Sequence, residues 1–468
     1  MANEAPLSCA APDWVADAVF YEIFPERFAN GNVHNDPPEC LPWGDKADRE
    51  TFFGGDLQGI LDHLGYLQDL GVTALYLTPV FLAGSNHKYD TYDYLQVDPA
   101  FGDERLLKRL ADELHRRGMR VILDGVFNHA GLGFWAFRDV MEQGPSSPFK
   151  DWFFLDSFPI VESPPSYQTC GGTWYLPKLN TSNSEVQEYL LHVATYWIQA
   201  CDMDGWRLDV PWKVPTDFWR RFREAVRAQK PEAFLVGEIW RNAEPWLKGD
   251  TFDATMNYEL RNAILDYLVL DHMDAEDFDY ELTSLRASQG PAASFQLNLL
   301  GSHDTPRLLT LCAGDKARAE LAMTFQMTYL GAPMVYYGDE VGLEGGDDPD
   351  CRRCMPWDET EWDRELLETT RNLIRARQAH PALRHGIFEP LMTFNGVYAY
   401  RRALGQDEAI VVLNPREAGS GLRVPLGPST AAVEYREEKT GRIYHAESGF
   451  LRLDHLPSKG SLLLFAQQ

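Results

Sequence analysis

Arg207 and Asp209 stand two residues apart in the run GWRLDVPWKV (205–214), which is otherwise largely apolar. In a strand the side-chain period is two, so both charges fall on one face while Leu208 and Val210 fall on the other. Alone, the pair reads as a structural ion pair, because buried charges persist when paired and pairing requires no chemistry. Similar groups close other apolar runs: Asp124, Asn128 and His129 in DGVFNH, Glu238 in VGEIW, His303 and Asp304 in GSHD, with Tyr89 and Asp90 in HKYDTYDY. Taken singly, Asp124 would bond strand ends, His129 and His303 would anchor loops, and Asp304 would cap a helix. Gathered on one rim, carboxylates, histidines and a guanidinium that keeps its neighbour ionised are equipped for acid–base or nucleophilic work.

Such a rim needs strands that end together. Eight runs read as strands between about residues 18 and 380: AVFYEIF, TALYLTPVF, RVILDGVF, DGWRLDV, FLVGEIW, FDATMNY, FQLNLLGSHD and PMVYYGDEVGL. Helical periodicity separates them. In DERLLKRLADELHRRG, Leu106, Leu107, Leu110, Ala111 and Leu114 follow the helical repeat, Asp103 can cap the start and Gly118 can end it. Similar helices appear at DKARAELAMTFQMTYLG and ELLETTRNLIRARQAH. Strands alternating with helices imply a parallel sheet, and eight strands point to a (β/α)8 barrel, whose working groups stand at the C-terminal strand ends. The alternative is an open doubly wound sheet; no glycine fingerprint for nucleotides follows the first strand.

Two regions break the alternation. Residues 130–183, with PSSPF and ESPPSYQTCGG, read as a loop-rich insertion after strand 3, and residues 386–468 alternate apolar and polar as a C-terminal antiparallel β-sandwich. The barrel then takes residues 1–129 and 184–385.

Composition limits the partners. A net charge of −27 repels nucleic acid and anionic membranes, and leaves a neutral substrate acceptable. No apolar run is long enough to span a bilayer, and MANEAPLSCAAPDW has neither a basic start nor an apolar core; without an apolar stretch before it, Cys9 is discounted as a lipoprotein site. Seven scattered cysteines fit reduced thiols, so a cytoplasmic location is expected.

In their order and on their strands, DGVFNH, GWRLDV, EIW and GSHD resemble the α-amylase family, glycoside hydrolase family thirteen. YLPKLNTSN (175–183), EIWRNAEPWLKGDTFDATMNY and GAPMVYYGDEVGLEGGDDPDCRRCMPW look like its neopullulanase, cyclomaltodextrinase and maltogenic amylase branch, and the resemblance runs over nearly the whole chain. It implies a retaining hydrolase of α-1,4-glucosidic bonds in maltooligosaccharides, cyclodextrins or starch, with some transfer to sugar acceptors. Retention requires two carboxyl groups about 5 Å apart, one attacking and one protonating the leaving oxygen. By resemblance Asp209 is the nucleophile and Glu238 the acid/base, which must hold its proton; Arg207 keeps Asp209 ionised and oriented. Asp304 is the third acid, gripping sugar hydroxyls and favouring a distorted ring. His129 and His303 would donate to the same sugar and Tyr89 would stack on it, while Asp90 either touches substrate or orients His129 or Arg207.

Further out, Asp348 and Arg352 match positions that bind the next sugar, although their spacing also suits a surface ion pair. Trp212 and Trp240 are sugar-platform candidates; Trp357 reads more readily as core. ANGNVHND (29–36) and FFGGDLQG (52–59) resemble paired calcium-binding segments, with Asn30, Asn32, Asn35, Asp36, the Gly54 carbonyl and Asp56 as oxygen donors for a structural Ca²⁺. The alternative is an Asn/Gly-rich turn; Asn32, where the family commonly has Asp, removes a charge. No organic cofactor is implied.

Two departures stand out. The branch usually carries an extra β domain before the barrel, whereas the first strand here starts near Val19, so either a monomer, which is favoured, or a differently built oligomer is expected, with a more open cleft. After the nucleophile stands VPWKV instead of Val-Ala-Asn-Glu, so Trp212 and Lys213 alter the leaving-group side. The rival readings are a glucanotransferase or isomerase on the same scaffold, sharing the covalent intermediate, and a non-catalytic carbohydrate-binding protein, which would have lost carboxylates that Asp209, Glu238 and Asp304 retain.

Overall fold

The computed structural model describes residues 11–427 and 432–467; Cys9 lies outside them. Eight parallel strands arise from the eight apolar runs: β1 (Phe20–Ile23), β2 (Ala74–Leu77), β3 (Arg120–Gly125), β4 (Gly205–Leu208), β5 (Phe234–Gly237), β6 (Ala254–Thr255), β7 (Leu297–Leu299) and β8 (Ala332–Tyr336). Apart from Arg120 every residue in them is buried, as expected of a parallel sheet whose faces are both covered. The fold is a (β/α)8 barrel followed by an antiparallel C-terminal sheet.

The chain resolves into two compact units, one chiefly Phe20–Met256 with Arg352–Met355, the other chiefly Asn257–Cys351 with the chain from Pro356 onward. These boundaries cut across the three domains read from sequence. In the first unit the strands run in the order β6-β5-β4-β3-β2-β1. The register sets Asp124 beside Arg207, and Arg207 beside Val236 two residues before Glu238. Side chains separated by up to 114 positions thereby reach one end of one sheet. The second unit holds the parallel pair β7 and β8, Leu297 beside Ala332.

The helices cover the strands for the reasons their sequences give. Over Glu104–Arg116, Leu107, Leu110, Ala111 and Leu114 are buried and Leu106 is half-buried, the Asp103 side chain accepts from Leu106 N, and Gly118 at φ +73° turns the chain away. The expected helices at Lys316–Thr328 and Arg364–Ala379 begin behind Asp315 and Asp363, each capping with its carboxylate.

Residues 130–183 form one helix, Trp135–Gln143, short 3-10 turns and isolated bridges, consistent with a loop-rich insertion. Aromatic edge contacts hold it: the Phe137 ring lies 4.8 Å from Phe153 and 5.0 Å from Tyr167. An antiparallel pair, Phe81–Ala83 with Thr91–Val97, occupies the loop after β2 and had no sequence signal of its own. Beyond residue 386 eight antiparallel strands pair in a single order, and the sheet folds onto its apolar face: Val424, Leu451 and Leu453 pack with Ile410, Val412 and Leu464.

Candidate active site

Arg207 is the centre of the site in the first unit. It emerges from β4 fully buried and meets three carboxylates: Nη1 lies 3.0 Å from both oxygens of Asp124 and 3.0 Å from Asp209 Oδ1, and Nη2 lies 3.1 Å from Glu238 Oε2. Nε points at Met256 Sδ, 3.4 Å away. Burial works against the guanidinium, but the charges of Asp124 and Glu238, with the Tyr76 hydroxyl, outweigh it and hold the group well above its ordinary range. The lone pair of charges read from GWRLDV is thus one edge of a four-residue cluster.

The chain beyond β4 is shaped for this. Asp209 N still bonds to Gly125 O at 3.1 Å, and Val210 then takes φ +43°, a left-handed conformation costly for a β-branched residue. That turn aims Val210 N at Glu238 Oε2, 3.0 Å away. Trp240 Nε1 donates to Glu238 Oε1 at 2.6 Å. Trp240, a sugar-platform candidate by sequence, is therefore also a holder of Glu238.

Asp124 does more than bond strand ends. Besides Arg207 it accepts from Tyr76 OH at 2.5 Å and Tyr89 OH at 2.9 Å, so Tyr89 is pinned by its hydroxyl while its ring remains half-exposed. Tyr76 gave no sign of this in sequence, since TALYLTPVF reads as core. Asp90 corrects an expectation: its carboxylate accepts from Gly84 N (3.1 Å), Ser85 N (3.2 Å) and Ser85 Oγ, so it folds its own loop instead of orienting His129 or Arg207. Burial raises its pKa, partly offset by the Ser85 contacts.

His129 is buried, and its Nε2 has no hydrogen-bond partner of proper geometry. Burial drives its pKa down to about 4, only partly offset by the Tyr89 backbone, so the ring is neutral at neutral pH. A neutral ring with an unused nitrogen suits a ligand hydroxyl. Trp212, 43% exposed, and Lys213 sit on the 3-10 turn Pro211–Lys213. Lys213 lines a cavity of about 320 Å³ with Asn128, Tyr167–Gly171 and Lys178. Cys170, on that wall, has its thiol pKa pushed up to about 11, first by burial and then by the charge of Asp209. Its nearness to Asp209 was not foreseen, because nothing in ESPPSYQTCGG sets its distance from β4. Arg352, also in this unit, is buried with its guanidinium over the Phe24 ring.

The second unit has a strand end of its own. Past β7, His303 is buried with Nε2 3.1 Å from Asp304 Oδ2, its carbonyl accepts from Cys351 Sγ at 3.2 Å, and Asp304 N bonds to Ser302 Oγ at 3.3 Å. Asp304 remains part-exposed, and Asp348 is half-buried in the loop before the 3-10 turn Asp350–Arg352. Trp357 lies half-buried against Trp362 at 6.4 Å, nearer to its core reading than to a platform.

The segments 29–36 and 52–59 pack together as expected. Asn30 Nδ2 donates to Asp36 Oδ1 at 2.8 Å, Asn35 Nδ2 to Asp56 Oδ2 at 3.2 Å, and a Cβ on Gly54 would collide with both Asp36 and Asn30. The carbonyl oxygens of Asn30 and Asn35 are buried without partners, which fits a hard cation. Two of the six proposed donors behave differently. Asp56 caps the helix Leu57–Asp62, accepting from Gly59 N (2.7 Å) and Gly31 N (3.0 Å), while Asn32 is exposed and its carbonyl holds His34 N. Among the described residues no group of three or more His, Cys, Asp or Glu could hold a metal, so any site here relies mainly on amide and backbone oxygens beside the single Asp36 carboxylate.

A parallel barrel with a guanidinium-bridged carboxylate pair at its strand ends defines an enzyme that acts through two carboxyl groups. The α-amylase catalytic domain matches residues 22–363, and the chain belongs to the α-amylase family of glycosidases. It is 51% identical over 428 residues to a cyclomaltodextrinase of Bacillus sp (90% of this chain, 77% of that one). It is 47% identical over 375 residues to the intracellular maltogenic amylase of Bacillus subtilis (strain 168), covering 80% of this chain and 63% of that one. The cyclic α-maltosyl-(1→6)-maltose hydrolase of Arthrobacter globiformis, solved with that sugar, superposes with a TM-score of 0.90 at 42% identity, over 97% of this chain and all of the other.

Proposed function

We propose that this enzyme hydrolyses α-1,4-glucosidic bonds of maltooligosaccharides and cyclodextrins with retention, in the cytoplasm. The observation that carries the reading is one guanidinium touching both Asp209 and Glu238, since carboxyl groups bridged by a single planar fork stand close enough to flank one anomeric carbon. Asp209, ion-paired and acceptor-only, is the nucleophile; Glu238 delivers the proton to the leaving oxygen and then activates water. His129 Nε2 and the stacking face of Tyr89 meet the sugar under attack, and by the family resemblance Asp304, His303, Asp348 and Arg352 are further sugar ligands. The six described cysteines, all unpaired, and the relative named intracellular support the location.

The test is a product profile over maltotriose, β-cyclodextrin, starch and pullulan, with the first-formed anomer followed by proton NMR. Maltose and glucose released first as the α-anomer are expected. A β-anomer would remove the assigned roles, and accumulation of longer or α-1,6-linked sugars would favour the transferase reading. A ring-shaped α-maltosyl-(1→6)-maltose is a second candidate substrate, favoured by the full-length likeness to the Arthrobacter globiformis enzyme, and belongs in the same panel.

A structural Ca²⁺ held by Asn30, Asn35, Asp36 and the Gly54 backbone is also proposed, on the two orphaned amide oxygens. Millimolar Ca²⁺ should then raise the melting temperature of chelator-treated protein by about 3 °C or more, and Asp36→Ala should abolish that gain. No shift, or an equal shift in Asp36→Ala, would leave these segments as an ordinary turn.

A further inference from the structure

Asn128 and His129 follow each other just past the end of β3, and both are buried. Their backbones are held by the insertion and by the strand pair after β2: Asn128 O accepts from Leu179 N at 3.0 Å, Ala130 N bonds to Pro177 O at 3.0 Å, and the His129 carbonyl accepts from Tyr94 OH at 2.6 Å. The two side chains also meet, with Asn128 Nδ2 3.2 Å from His129 Nδ1. An amide nitrogen can only donate, so Nδ1 is the accepting nitrogen and the proton of the neutral ring falls on Nε2. The other end of the amide, Oδ1, is buried without a hydrogen-bond partner, and the residue lines the cavity of about 320 Å³. Cys170 stands on the same wall. Burial raises the pKa of its thiol and the Asn128 side chain works against that, which is the action of an N–H and not of a carbonyl.

Burial keeps His129 neutral at neutral pH, so the ring carries a single N–H and the neighbour of one nitrogen decides what the other can do. The nitrogen left over, Nε2, is buried and has no hydrogen-bond partner of proper geometry. We propose that Asn128 is a positioning residue for substrate binding: its amide holds His129 in the Nε2–H tautomer, so that the ring presents a donor to a sugar hydroxyl. The proposal rests on the reading of His129 as a sugar ligand. His129→Gln would carry an amide nitrogen at about the place of Nε2 and has no tautomer to be set. Asn128→Leu keeps the branching of the side chain and loses the donor.

Two measurements test this: the tautomer of His129, and the activity of Asn128→Leu, His129→Gln, His129→Ala and the double variant of the first two. In protein labelled with ¹⁵N at histidine, at about pH 7.5 and with the His129 signal assigned by its loss in His129→Gln, long-range proton–nitrogen NMR is expected to show a neutral ring protonated on Nε2. In Asn128→Leu the two nitrogen resonances should move toward an average of the two tautomers. On maltotriose, Asn128→Leu is expected to lower kcat/KM about tenfold, His129→Ala at least as much, and His129→Gln about threefold or less. In the His129→Gln background Asn128→Leu should cost no more than about twofold further, because the amide has no tautomer to lose. A wild-type ring protonated on Nδ1, or on both nitrogens, would overturn the proposal even if Asn128→Leu fails to fold. An unchanged ring signal in Asn128→Leu, or a loss of activity equal in both backgrounds, would make Asn128 a structural element only and overturn it as well. If His129→Ala leaves kcat/KM unchanged, the reading of His129 as a sugar ligand fails; if it lowers kcat/KM while Asn128→Leu does not, only the role of Asn128 fails.

Discussion

Glu238→Gln is expected to lower kcat on maltotriose by about 10³-fold or more while leaving affinity for β-cyclodextrin within about threefold. The substitution barely alters shape but removes the only proton the mechanism can deliver to the leaving oxygen. It also has a defined structural cost. Trp240 Nε1 donates to one Glu238 oxygen and Val210 N to the other, so the new amide must turn its NH₂ against one of these donors whichever way it is placed. One such conflict costs about 1–3 kcal/mol, a modest loss of stability with the fold retained. A sharper readout comes from the leaving group. Fluoride departs without a proton, so on α-maltosyl fluoride the variant should recover most of its deficit in the first step, whereas a maltooligosaccharide needs the proton. Near-normal turnover of maltotriose, or an equal deficit on the fluoride, would take the acid/base role from Glu238.

The second large effect is expected at Arg207. Arg207→Met keeps much of the buried volume yet removes the cation shared by Asp124, Asp209 and Glu238, each in ion-pair range of the guanidinium. Breaking a buried ion pair on one side costs about 3–5 kcal/mol, because the remaining charges are left uncompensated. The same loss should carry activity down by several orders of magnitude, since Asp209 would no longer be held ionised and aligned. The pH dependence has a definite sign. Carboxylates stranded in the folded variant favour the protonated form, so the folded state binds more protons than the unfolded one, and stability falls as pH rises through the carboxylate range, about pH 4 upward. The gap from wild type should therefore be small near pH 4.5 and full at pH 7.5 in urea unfolding. A gap that is equal at both pH values would reduce Arg207 to a packing element, and no gap at all would sink the cluster as a stabilising unit.

Several parts of this protein could be read directly from residue order. The helix at Glu104–Arg116 announces itself because its apolar spacing, its Asp103 cap and Gly118 are local properties of a 13-residue segment. The eight strands were legible for the same reason, each being a short apolar run between breakers, although Asp209 falls just past the end of β4. The residue types at strand ends followed, because a parallel barrel brings those ends to one rim whatever the loops do.

Partnership across the fold was not legible. Asp124 looked like a strand-end carboxylate until its contacts with Tyr76, Tyr89 and Arg207 were set by register and by the loop after β2. Asp90 and Asp56 were assigned outward-reaching roles, and residue order did not show that they also fold their own loop and cap their own helix, a short carboxylate taking nearby backbone donors readily. Residue order alone could not show the left-handed Val210 that points an amide at Glu238, or the Arg27 guanidinium that bonds the Arg352 carbonyl, 325 positions away. Periodicity, capping and strand-end chemistry act over one turn or one strand and are written in neighbouring residues. Which buried donor meets which acceptor depends on how distant segments pack, and that is decided only when the chain closes on itself.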